Sequence, residues 1–187
     1  MDRLRILQIT IATALVTVIS SALQYNAQAY PFGVRFTGAP NDAGGTSCNA
    51  CHMDIGDRRS MSKQFLFSNI PLEGYTPAST YQMTLRVSSG LPAFGFSLTP
   101  QKPDGTPAGT LQVLDTNTQV IQATVAPTLT HVDGAIPLID SFRTIQFNWT
   151  APASGTGNVT FYGAVRLLPL DSLYNYAVVF PEVSVVG

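Results

Sequence analysis

The chain has 187 residues, of which 45% are hydrophobic and only 11% charged, with a formal net charge of −1. A composition this apolar excludes an intrinsically disordered chain, and the lack of a basic excess or patch excludes an ordinary nucleic-acid binder. Fifteen glycines and thirteen prolines beside so few charges suit an extracytoplasmic β-protein with many turns.

The N-terminus carries an export pattern. Arg3 and Arg5 form a short basic region, Ile6 to Leu23 is largely apolar, and Gln24 to Asn26 is polar. Ala27-Gln28-Ala29 then offers a small-x-small cleavage site before Tyr30. Residues 1–29 are therefore expected to be a signal peptide, with a retained anchor as the other reading, because the apolar run is almost long enough to span a bilayer. Removing one acid and two bases with that peptide leaves ten acids against eight bases, a net charge of −2. No second apolar span follows, so no membrane span is expected in the mature chain, which is predicted to be periplasmic or extracellular.

Residues 30–63 show no hydrophobic periodicity and are rich in Gly, Asp, Ser and Asn. Within them lies the most informative stretch of the chain, Cys48-Asn49-Ala50-Cys51-His52, which has the C-x-x-C-H form of a haem c attachment site. It holds both cysteines of the chain. In that chemistry each thiol adds to one haem vinyl group, and the two residues between set a turn that presents both sulfurs to one porphyrin edge. His52 then stands beneath the iron as proximal ligand. The same pair could be a dithiol redox couple, although such couples open a helix within a βαβ pattern that is not visible here. It could also be a small structural disulfide in an oxidising compartment. A zinc site would need His131 as a distant fourth ligand. The segment is expected to be irregular, with one short helical turn after Cys51. Asp54, Asp57, Arg58 and Arg59 follow, either as a solvated loop or with an arginine fork facing a haem propionate.

From about residue 64 the pattern becomes period-two alternation. Tyr81, Met83, Leu85 and Val87 alternate with Gln82, Thr84, Arg86 and Ser88. Phe94, Phe96 and Leu98 repeat the pattern, as do Ile121, Ala123 and Val125, and Ile145, Phe147 and Trp149 against Thr144, Gln146 and Asn148. Val159, Phe161, Gly163 and Val165 form a further run. Such runs are half-buried strands. Turn signals separate them at Ser89-Gly90-Leu91-Pro92, Pro103-Asp104-Gly105, Asp133-Gly134 and Ala151–Gly155. Asn117 is expected to close a hairpin between Leu111–Leu114 and Val120–Val125. Seven or eight short strands at this spacing predict an all-β, antiparallel, immunoglobulin-like sandwich over residues 64–187. Trp149 is assigned to its core. The Asn148-Trp149-Thr150 and Asn158-Val159-Thr160 sequons fall in predicted strands.

Several of these stretches, taken together and in order, resemble a reelin-type (Reeler) domain: Thr80–Ser89, Phe94–Thr99, Ala108–Leu111, Thr130-His131, Asn148–Pro152 and Gly157–Val165. Phe36–Pro40 leading into C-x-x-C-H is similar to the bacterial branch called choice-of-anchor V, in which a short cysteine-containing lead-in precedes the sandwich. The resemblance implies a sandwich of a kind used for adhesion and partner contact. The C-terminus departs from that branch, ending at Val185-Val186-Gly187 without the usual sorting signal.

Four residues could supply the sixth iron ligand. Met53 adjoins His52 and cannot easily reach the opposite haem face. Met83 falls on an apolar strand face and reads as core. His131 is the only other histidine, in a polar link before Asp133-Gly134, and is the tentative distal ligand, with Met61, nine residues after His52, as the alternative. The expectation is an exported monohaem c-type cytochrome passing single electrons to a redox partner protein, with self-association possible in principle. Two other readings stay open. One is an extracellular adhesion or carbohydrate-binding module whose C-x-x-C pair is a non-redox disulfide. The other is a haem peroxidase-like activity at an open sixth site.

Overall fold

The structure, a computed structural model, describes residues 37–40, 59–60, 65–122, 126–168 and 172–183. In chain order the strands are β1 (Arg59–Ser60), β2 (Leu66–Ser68), β3 (Thr80–Ser88), β4 (Ala93–Gln101), β5 (Thr110–Val113), β6 (Thr118–Ile121), β7 (Thr128–His131), β8 (Ile136–Pro137), β9 (Phe142–Thr150), β10 (Val159–Leu168) and β11 (Ser172–Phe180). The described residues contain no helix. The strands form two sheets. One has seven strands in the order β1-β11-β10-β4-β7-β6, with β8 also pairing β4, and the other has four in the order β2-β3-β9-β5. All pairings are antiparallel except β1 with β11, which is parallel.

Alternation in the sequence becomes two faces in space. In β3 the side chains of Tyr81, Met83, Leu85 and Val87 are buried while their neighbours are exposed or half-buried. Their register partners across β9 are Trp149, Phe147, Ile145 and Arg143. The seven-stranded sheet answers with Phe94, Phe96 and Leu98 from β4 and Phe161 and Val165 from β10, which close the core between the sheets. Burying apolar surface of this kind supplies most of the stabilisation, at about 25 cal/mol per Å².

Trp149 anchors the centre of that core. It is fully buried, with Tyr75 edge-on at 5.3 Å, Phe161 edge-on at 5.1 Å and Tyr81 stacked at 6.1 Å between ring centroids. Its indole Nε1–H donates to the Ala108 carbonyl at 2.9 Å, so the one polar atom of the ring is satisfied. That approach requires Gly109, with φ +80°, because a Cβ there would collide with the Thr150 carbonyl oxygen.

The C-terminal strand is tied down by a separate lock. The Glu182 carboxylate accepts the backbone N–H groups of Gly155 at 2.8 Å and Gly157 at 2.5 Å. These bonds hold its carboxyl below the usual carboxylate range. Tyr75 donates its hydroxyl to the Gly157 carbonyl at 2.6 Å and its backbone N–H to the Pro181 carbonyl. Burial, followed by the neighbouring Glu182 charge, pushes the Tyr75 phenol up to about 12.

One expected hairpin does not form. β5 pairs with β9 in the four-stranded sheet, whereas β6 pairs with β7 in the other. The Asn117 link is therefore a crossover between sheets. Its Asp115 carboxylate accepts the Asn117 N–H at 2.8 Å and the Thr118 hydroxyl at 3.1 Å, which turns the chain out of one sheet and into the next.

Candidate functional site

Cys48, Cys51, His52, Met53 and Met61, with Asp54, Asp57 and Arg58, lie outside the described residues. The nearest described chain is β1, whose Arg59 stands seven residues after His52. Arg59 pairs with Tyr174 and Ser60 with Asn175, so β1 lies along the edge of β11. The outer face of the seven-stranded sheet beside that edge is itself buried. Ala164, Arg166, Leu168 and Leu173 are each no more than 8% exposed although they lie outside the core between the sheets. Thr37 and Ala39, near the start of the lead-in, are also buried.

His131 is not in a polar link. It is the last residue of β7, buried among Phe96, Thr130 and the strand β6, where it pairs with Thr118. The β4–β7 register ends at Ser97 opposite Thr130, and Phe96 stands next to that end. Two side chains bond its backbone. The Thr130 hydroxyl donates to the Phe96 carbonyl at 2.7 Å, and the Phe96 N–H donates to Nδ1 of His131 at 3.3 Å. An Nδ1 that accepts must be unprotonated, so the ring proton of the neutral imidazole sits on Nε2. Burial, the largest influence on the ring, holds it below its ordinary value and favours the neutral form.

This arrangement decides what His131 can do as a ligand. Nε2 is buried without a hydrogen-bond partner, but it carries a proton and has no lone pair to offer a metal. His131 does not fit a sixth iron ligand while it serves as the side-chain rung of Phe96. Met83 does not fit either, because it is fully buried in the core opposite Phe147. Among the described residues no group of three or more His, Cys, Asp or Glu is placed to hold a metal.

Among solved structures, the chain is similar to the reelin-N domain of F-spondin, with a TM-score of 0.56, 21% identity, and 69% of this chain and 93% of that one covered. The fold is the reeler sandwich. Two human F-spondin reeler structures agree, one with a TM-score of 0.54 and 22% identity over 70% of this chain and 97% of that one. The other has a TM-score of 0.50 and 21% identity over 63% and 90%. No protein-family model and no curated protein matches the chain.

Sequence reasoning missed two buried polar groups of the reeler sandwich. Gln101 is fully buried at the end of β4 with neither amide atom partnered, and the Tyr176 hydroxyl is buried without a partner. Burial pushes the Tyr176 phenol far up. Nothing in local patterning announces such residues, since each occupies a strand position like its neighbours.

Proposed function

We propose that the protein is an exported one-electron carrier with a single haem c. Cys48 and Cys51 hold the porphyrin, His52 is the proximal ligand, and the sandwich is a rigid base beside the haem segment. The observation that carries this reading is the run Cys48-Asn49-Ala50-Cys51-His52, placed behind an export pattern and holding both cysteines of the chain. The pairing of β1 with β11 supports it, because it ties the chain just after His52 to a sheet edge and limits how far the haem can stray. Bound haem supplies the redox couple, and the protein tunes it through axial ligation and burial.

The sixth ligand is assigned to Met61 in this reading, since His131 is occupied as the side-chain rung of Phe96. Buried Arg166, on the outer face beside the β11 edge, is a cation close to where β1 joins the sheet. Attachment is tested on protein exported from a host able to mature c-type cytochromes. A denaturing gel should show haem peroxidase staining at the mass of the chain, and Cys48→Ala or Cys51→Ala should weaken or abolish it. A fully matured chain without stain would leave the sandwich as a binding module whose cysteines close a disulfide.

A further inference from the structure

The strand positions of the four-stranded sheet that point away from the core form a nearly uncharged grid. One row across the strands is Thr80, Thr150 and Thr110, in register. The next is Gln82, Asn148 and Gln112, three amides side by side. A third is Phe67, Thr84 and Gln146. Rows of this kind repeat at about 7 Å along a strand, and neighbours within a row stand about 4.8 Å apart. The only charged residue at these positions is Arg86, whose guanidinium lies 4.6 Å above the Phe142 ring at one end.

The polar groups are also arranged. Thr80 and Thr150 share a hydroxyl–hydroxyl bond of 2.8 Å, and the Asn148 amide donates to Gln112 Oε1 at 3.1 Å. These bonds fix rotamers in the two rows and leave further donors and acceptors facing solvent. Gln82 and Gln146 are exposed, with no side-chain bond across the sheet, and Phe67 is 44% exposed beside them.

We propose that this face binds a neutral polysaccharide chain. Hydroxyls and amides each donate and accept, as sugar hydroxyls do, and the exposed ring of Phe67 offers an apolar patch to the C–H face of a sugar. An anionic polymer would need a basic patch and a basic peptide an acidic one, and neither is present among these positions. The rows repeat along and across the strands, so they suit a repeating polymer engaged at several points instead of a single sugar. The proposal stands whether or not the chain carries haem.

The experiment is affinity electrophoresis of the full exported protein in gels containing a neutral β-glucan, an α-glucan, a mannan or the anionic polymer alginate. Retardation is expected in at least one neutral gel and not in alginate. The double variant Gln82→Glu, Gln146→Glu should lower affinity for the retarding polymer about tenfold, and Phe67→Ala should weaken it without altering the melting temperature. Absence of retardation in every neutral gel would overturn the proposal, as would retardation untouched by the double variant or confined to alginate. A wild-type dimer that the double variant dissociates, without polymer binding, would mean that the face pairs copies of the chain, which also overturns it.

Discussion

The phenol end of Tyr176 lies over the Cα of Gly163, its register partner in the adjacent strand, in space that a Cβ on Gly163 would occupy. The glycine is required by its neighbour's ring and not by an unusual backbone angle. Gly163→Ala should destabilise the sandwich by about 1–3 kcal/mol, the usual cost of overpacking a core. Thermal or denaturant unfolding measures it, and an unchanged midpoint would show that the ring moves aside freely.

Tyr176→Phe should have the opposite sign. Its hydroxyl is buried with no partner, and an unsatisfied buried polar group costs about 1–3 kcal/mol. Removing the oxygen while keeping the ring should raise the unfolding midpoint. Combined with Gly163→Ala, the two changes should prove non-additive, because they share one pocket.

His131 makes a pH-dependent contribution to stability. Its folded value is depressed by burial, so the unfolded chain takes up a proton more readily. Stability from this residue is fully present above the ordinary imidazole value of 6.5 and is lost as pH falls below it toward the folded value. Replacing His131 with Phe should remove that slope from unfolding curves, and should cost about 1–3 kcal/mol at neutral pH by stranding the Phe96 N–H. In the haem-loaded protein this variant should keep the wild-type ferric spectrum. A switch to high spin would return His131 to the iron.

Glu182 acts at lower pH. Its folded carboxyl is depressed by the Gly157 and Gly155 N–H bonds, so its contribution is complete above the ordinary value of 4.5 and fades as pH falls through the folded value. Glu182→Gln should lower the melting temperature at pH 7, and the difference from wild type should shrink on acidification. Equal loss at every pH would assign the effect to packing.

Most of the sandwich was legible because its strands alternate cleanly. The buried positions of β3 and β9 follow the period-two pattern residue by residue, and Trp149 sits in the core as its surroundings implied. Strand β4 is different, since Phe94 to Gln101 are buried on both faces and the alternation marks only one of them. The sheet assignment of β5 and β6 was not legible, because a short polar link reads alike whether it closes a hairpin or carries the chain between sheets. The role of His131 was hidden for a related reason: it depends on a bond from the Phe96 N–H of β4, 35 residues away in sequence. The outward amides and threonines were visible as the polar half of each alternation, but their rows exist only once the register is known.

Covalent haem at Cys48 and Cys51 is tested most directly by the pyridine haemochrome spectrum of protein matured in a c-type-competent periplasm. The expected result is a c-type α-band at one haem per chain that survives acid–acetone extraction of the denatured protein. A colourless, correctly exported chain, or haem removed by that extraction, would contradict it.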